Sequence, residues 1–199
     1  MYKLEHITKK YNKNIILNDI SLELDQPNLY IITGINGSGK STLIKIMSKI
    51  IFKSSGNIIS DESIAFLPDK FILPYLISVK EFIKETLRLY KIRLDYKDIM
   101  KRFELPNKLI GSLSKGNYQK LGLFFIFYNN KDIYILDEPL DGLDDFAKGL
   151  FRKLVEEKLK ENKKVVLSLH NKTLLNSFNP KVFQIKEGDL VEKQRRKKE

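Results

Sequence analysis

Gly34-Ile35-Asn36-Gly37-Ser38-Gly39-Lys40-Ser41 decides how this chain is read. Its spacing is Gly, four residues, Gly, Lys and a hydroxyl residue, the pattern of a loop that cradles polyphosphate. The run before it, Asn28-Leu29-Tyr30-Ile31-Ile32-Thr33, is short and largely apolar with two adjacent isoleucines, which predicts a buried strand. After it Leu43, Ile44, Ile46, Met47, Ile50 and Ile51 recur at helical spacing. Strand, glycine-rich loop and helix form the context that gives the motif its meaning.

The residue types follow from the chemistry. Gly34, Gly37 and Gly39 let the backbone curl so that its N–H groups face a polyphosphate, and the helix start adds a partial positive charge. Asn36, Ser38 and Thr42 complete the nucleotide-binding stretch. Lys40 has the length to reach β- and γ-phosphates, and the Ser41 hydroxyl suits Mg²⁺. A nucleoside triphosphate is the expected ligand.

Working outward, 199 residues suffice for one well-cored domain. The longest nearly apolar runs, residues 71–79 and 121–128, fall well short of the roughly twenty residues that span a bilayer. The amino terminus lacks a signal-peptide apolar core. With no cysteines, disulfides and thiolate metal sites are excluded. These features suit a cytoplasmic protein. The net charge of +11, from 36 Lys and Arg against 25 Asp and Glu, would serve an anionic partner, yet most of the lysines are scattered. The exception is a basic tail, residues 192–199.

Along the chain, residues 1–24 read as β-rich: Tyr2-Lys3-Leu4-Glu5 alternates, and Ile20, Leu22 and Leu24 share a strand face, with residues 9–14 as a polar loop between them. A turn at residues 53–57 leads into Ile58-Ile59, and Ile64-Ala65-Phe66-Leu67 is a short strand stopped by Pro68. Val79, Phe82, Ile83, Thr86, Leu87 and Tyr90 make one helix face. Tyr96, Ile99, Met100 and Phe103 make a second, and Leu121, Phe124, Phe125 and Tyr128, after Ser114, a third. Residues 70–128 are therefore expected as a helical block inserted in an α/β framework. The framework resumes with the strand Ile133-Tyr134-Ile135-Leu136 and a helix carrying Phe146, Leu150, Leu154 and Leu159. The strand Val165-Val166-Leu167-Ser168-Leu169 then delivers His170, and a hairpin turning at residues 186–189 closes the chain.

Asp137-Glu138-Pro139 follows the first of those resumed strands. A carboxylate at the end of a buried strand in a phosphate-loop protein is placed to bind Mg²⁺, which gives Asp137 that role. Glu138 is then placed to polarise an attacking water as general base.

With both motifs in view, the sequence resembles the ATP-binding cassette (ABC) ATPases. Leu113-Ser114-Lys115-Gly116-Asn117 is similar to the family signature Leu-Ser-Gly-Gly-Gln, and Asp141-Gly142-Leu143-Asp144 to the loop after the catalytic Glu. His170 sits where the family carries a switch histidine that contacts the γ-phosphate, and Tyr11 where an aromatic stacks on adenine. The ordered match runs from Tyr11 to about Gly188.

The resemblance implies an α/β phosphate-loop fold of ABC ATPase type. Its core sheet is mostly parallel, with an N-terminal antiparallel β subdomain and an inserted helical subdomain, all in one domain, 1–199. It implies ATP and Mg²⁺ as cofactors and an ATPase whose Ser114 and Gly116 face the ATP of a second subunit. Two positions depart from the pattern. Lys115 and Asn117 replace the signature's first Gly and its Gln. Asp69 follows Pro68 where the family has a Gln that contacts Mg²⁺; a carboxylate still serves a hard cation, at shorter reach.

The expected function is the ATPase subunit of an ABC transporter, peripheral on the cytoplasmic face of the cell membrane, with export favoured by the compact chain. Its partners would be membrane-spanning permease subunits, docked near residues 69–79 and the helical block, and a second cassette as homodimer or heterodimer. One alternative is an ABC protein acting on nucleic acid or ribosomes. The basic balance raises it, and a chain too short for two cassettes or a long coiled coil makes nucleic acid an unlikely partner. Another is a regulatory subunit with weak hydrolysis, raised by Asp69.

Overall fold

A computed structural model describes residues 1–169 and 173–193. Two sheets form the frame. Strands β1 (Tyr2–Tyr11), β2 (Asn14–Leu24) and β4 (Ser55–Ser60) make an antiparallel sheet in the order β2-β1-β4. Strands β3 (Leu29–Thr33), β5 (Ile64–Leu67), β6 (Ile133–Asp137), β7 (Lys164–Ser168), β8 (Lys181–Lys186) and β9 (Asp189–Glu192) make the second, ordered β5-β6-β7-β3-β8-β9. Every pairing in it is parallel except β8 with β9.

The parallel strands are apolar on both faces because both faces are covered, and side chains alternate between them. Tyr30, Ile32, Ile133, Ile135, Val166, Phe183 and Ile185 pack toward the antiparallel sheet and helix α1 (Lys40–Met47). Leu29, Ile31, Tyr134, Leu136, Val165, Leu167 and Val182 pack on the opposite face, against α2 (Val79–Leu89), α3 (Tyr96–Arg102), α4 (Lys115–Phe127) and α5 (Asp145–Lys160). Residues 79–127 thus share one core with the sheet: Phe127 stacks on Tyr134 at 5.6 Å and meets Phe151 edge-on at 5.9 Å.

The helices begin where short polar side chains meet open N–H groups. Ser78 and Glu81 form a reciprocal capping box on α2, and Asp95, Ser114 and Asp144 cap α3, α4 and α5.

The structure revises several local expectations. The polar stretch 9–14 is a two-residue hairpin, with Tyr11 paired to Asn14 and Asn12 at φ 54°. Its strand ends are too exposed to leave an alternating pattern. Helix α1 stops at Met47, before Ile50 and Ile51. Lys49 adopts φ 58° and donates to Ile46 O, while Ile50 N–H donates to Lys45 O, a Schellman-type ending that turns the chain away. Phe146 is 42% exposed, and the buried stripe of α5 is Ala147, Leu150, Phe151, Leu154 and Val155. Glu192, expected in the tail, ends β9, and Lys193 N–H donates to Val182 O; residues 194–199 lie outside the described residues.

Two contacts make the frame testable. Gly56 in β4 sits at φ 91° beside the bulge of β1, and a Cβ there would lie 2.3 Å from His6 O. Gly56→Ala is expected to destabilise the protein by more than about 2 kcal/mol in urea unfolding, since backbone rather than a flexible side chain blocks the space. In the second sheet, just before β5 and β6, Ser63 Oγ and N–H both donate to Asp132, at 2.7 and 2.9 Å, with Lys163 Nζ 3.3 Å away. Chiefly through the Ser63 hydroxyl, this holds the Asp132 carboxyl down at about 2. The folded pKa is depressed, so the stabilisation is present above the ordinary carboxylate range and lost as pH falls toward 2. Asp132→Ala is expected to cost about 1 kcal/mol near pH 6, discounted for its exposure, and progressively less as pH falls through about 2.

Candidate functional site

The site is built at the carboxyl ends of three adjacent parallel strands. β3 runs into the loop 34–39, and β6 ends in Asp137. β7 lies between them in the sheet, with Ser168 paired to Asp137 on one side and to Ile32 on the other. The register therefore sets Ser168 level with the first carboxylate and just below the loop.

The loop wraps into α1 through Gly39, at φ 103° and without side-chain capping. Its carbonyl accepts from Leu43 N–H, so the first-turn N–H groups of α1 are left for an anion. A Cβ on Gly39 would press 2.8 Å from Leu17 Cδ2. Lys40 is only 5% exposed; its Nζ donates to Gly34 O (3.1 Å) and Ile35 O (3.2 Å) and lies 3.9 Å from Glu138 Oε1. Gly34 has no room for a side chain, which would lie 2.4 Å from Ser38 Oγ, itself a buried hydroxyl without a partner among the described residues.

Asp137 is buried, and its Oδ1 accepts two hydroxyls, Ser41 Oγ at 3.2 Å and Ser168 Oγ at 2.5 Å. Glu138 sits at φ 51°, a left-handed backbone costing a non-glycine residue about 1–2 kcal/mol. Its N–H donates to Ser168 Oγ at 2.9 Å. A carboxylate beside a hydroxyl is a hard-oxygen donor pair that suits Mg²⁺, which takes few protein ligands and fills its shell from phosphates and water. Among the described residues no three His, Cys, Asp or Glu side chains cluster into an all-protein cage.

These groups open on a cleft of about 390 Å³ lined by Tyr11, Ile16, Asn36, Gly37, Gly39, Lys40, Ser41, Thr42 and Glu138. Tyr11 closes one end, half-exposed at the tip of β1. Lys9 Nζ lies 4.7 Å from its ring centroid and donates to Phe52 O, which steadies the ring. Sequence reasoning missed Ile16 and Ser168. Ile16 leaves no signal, because the apolar face of β2 starts at this point. Ser168 did: it is the one polar residue inside an apolar strand.

Other expected site residues lie apart. Ser114 and Lys115 are exposed at the start of α4, where Ser114 Oγ accepts from Asn117 N–H at 3.3 Å. Lys115 lies with its aliphatic end against Gly142: a Cβ on Gly142 would be 2.7 Å from Lys115 Cε. Gly116 also faces Gly142, and neither Ser114 nor Gly116 lines the cleft that holds Lys40. Asp69 is exposed two residues past β5, makes no hydrogen bond or ion pair among the described residues and does not line the cleft. The strand order explains this, since β5 is the far edge strand, three places from β3. His170 lies outside the described residues.

Comparison with known proteins gives this arrangement a family. Residues 17–141 match the profile of the family described as ABC transporter. The uncharacterized ABC transporter ATP-binding protein MJ1023 of Methanocaldococcus jannaschii is 30% identical over 199 residues, covering 95% of this chain and 75% of that one. The cytochrome c biogenesis ATP-binding export protein CcmA of Reclinomonas americana is 31% identical, covering 84% and 83%. The zinc import ATP-binding protein ZnuC of Rickettsia conorii is 32% identical, covering 77% and 68%. The fold matches the dimeric structure of a post-hydrolysis state of the ATP-binding cassette MJ0796 bound to ADP and Pi, with a TM-score of 0.82 over 98% of this chain and 99% of that one, at 22% identity. The chain belongs to the ABC transporter family, and its fold is that of the ABC ATPase cassettes.

Proposed function

We propose that this chain is the ATP-hydrolysing subunit of a membrane transporter, working as one cassette with residues 70–128 as its helical block. The observation that carries the reading is the convergence of Lys40, Ser41 and Glu138 on one cleft, with Asp137 buried behind it and bonded to the Ser41 hydroxyl. Tyr11 and Ile16 wall the end where adenine stacks, and Asn36, Gly37, Ser38, Gly39 and Thr42 wrap the phosphates with Gly34 closing the loop. Lys40 exchanges the carbonyls of Gly34 and Ile35 for phosphate oxygens. Ser41 and Asp137 would hold Mg²⁺, which would supply charge neutralisation for the phosphates when bound. Glu138 takes a proton from the water that attacks the γ-phosphorus as the bond to the bridging oxygen breaks and ADP leaves. His170 would contact the γ-phosphate, and Asp69, which does not line the cleft, would reach a bound metal only through intervening water.

Ser114 and Gly116 complete the partner's site in this reading. The exposure of Ser114, at a capped helix start outside its own cleft with Gly116 half-buried two residues on, suits contact with the γ-phosphate of a second cassette, identical or homologous. ATP binding closes the pair and hydrolysis reopens it.

The membrane partners are separate subunits on whose cytoplasmic side the cassette sits; no helix among the described residues is long and apolar enough to cross a membrane. Ile72 and Leu76 are 81% and 88% exposed, and a groove of about 580 Å³ nearby in sequence is lined by Pro74, Ile77, Phe82, Leu89 and Phe125 with Glu85, Thr86 and Arg88 among them, which suits an amphipathic helix of a permease. The relatives named above include an export and an import protein, so the proposal is made for transport without a direction.

Two measurements test this. Glu138→Gln is expected to lower ATP turnover at least a hundredfold while leaving ATP affinity within about threefold, by coupled phosphate release and calorimetry. Equal turnover in the two proteins would remove Glu138 as base. Tyr11→Ala is expected to weaken ATP binding about tenfold; unchanged affinity would show that adenine does not stack there.

A further inference from the structure

We propose that Ser168 is a positioning residue that fixes the metal-site carboxylate and the catalytic carboxylate relative to each other through a single hydroxyl. A serine hydroxyl has one proton to donate and lone pairs to accept. Here the proton goes to Asp137 Oδ1 and a lone pair takes Glu138 N–H. The residue that accepts from the hydroxyl and the residue that donates to it are adjacent in sequence, so the hydroxyl closes a small ring across the end of β6. Ser168 itself is fully buried and held by strand pairing on both sides, to Ile32 and to Asp137. The anchor is therefore rigid.

Two consequences follow for this chain. Asp137 Oδ1 is occupied by Ser168 and Ser41, whereas Oδ2 has no partner among the described residues, so the carboxylate is oriented to present Oδ2 to a hard cation beside the Ser41 hydroxyl. Glu138 is held in its left-handed conformation by an N–H bond that water cannot replace at a fully buried oxygen. That turn directs its side chain back toward Lys40, 3.9 Å away. The same strand end runs on through Leu169, whose N–H donates to Ile32 O, so β7 ties the loop strand and the carboxylate strand at one level.

The inference rests on the nucleotide-binding reading above and is tested separately from it. The probe is Mn²⁺ with a non-hydrolysable ATP analogue, followed by electron paramagnetic resonance on the full chain. Ser168→Ala is expected to lower Mn²⁺ affinity of the nucleotide-loaded protein about ten- to a hundredfold and to lower turnover similarly, while metal-free nucleotide affinity stays within about threefold. In an Asp137→Asn background the same change is expected to have little further effect on Mn²⁺ affinity, because Ser168 acts through that carboxylate. Wild-type Mn²⁺ affinity in a folded Ser168→Ala protein would overturn the inference, as would a full additive loss in the Asp137→Asn background. If Ser168→Ala does not fold, Ser168→Thr keeps the hydroxyl. It is expected to hold Mn²⁺ affinity within about threefold of the parent, and a folded Thr variant with a tenfold loss would overturn the inference. A parent protein that takes up no Mn²⁺ with nucleotide would instead sink the nucleotide-binding reading itself.

Discussion

In-register parallel pairing of β6, β7 and β3 is the constraint on which the site depends. Hydrogen bonding across the three strands sets Asp137, Ser168 and Ile32 at one level, so the loop after β3 and the carboxylates after β6 face each other across the end of β7. Nothing in the loop sequence alone could achieve this. The strands hold their level because both faces are buried, and a slip of one residue would exchange Ile133 and Ile135 with Tyr134 and Leu136 between two differently shaped cores. The chemistry of the cleft is thus paid for by packing far from it.

That arrangement separates what stays still from what moves. Asp137, Ser168 and the β3 end are buried in sheet. Tyr11 and the start of α4 lie at the surface, and Lys40 is parked on two loop carbonyls that a polyphosphate would replace. Lys115 adds a link that its residue type did not announce. Though Lys115 is exposed, its stem lies against Gly142, so the signature helix and the loop after Glu138 touch within one chain. Movement of one is then felt by the other, at the place where a second cassette would approach.

Much of this was legible in the sequence, and for physical reasons. Residues 34–41 carry their own geometry, and the buried strands announce themselves as unbroken apolar runs because no face is left for polar residues. The α2 stripe of Val79, Phe82, Ile83, Thr86 and Leu87 could be read because that helix has one wet face. Tertiary facts were hidden. Ile16 reaches the cleft only because a hairpin folds it over Gly39, and Asp69 misses the lining because the strand order sends β5 to the sheet edge. Helix α1 ends early because Lys49 turns left-handed, which its residue type disfavours.

The proposed function makes the single chain half a site. Lys40, Ser41, Asp137 and Glu138 form one side, and Ser114 with Gly116 lies outside that cleft with its surface open. The direct measurement is the mass of the Glu138→Gln protein by light scattering, with and without saturating ATP. The account predicts a monomer alone and a dimer with ATP that Ser114→Arg abolishes; a protein that stays monomeric with ATP bound would contradict it.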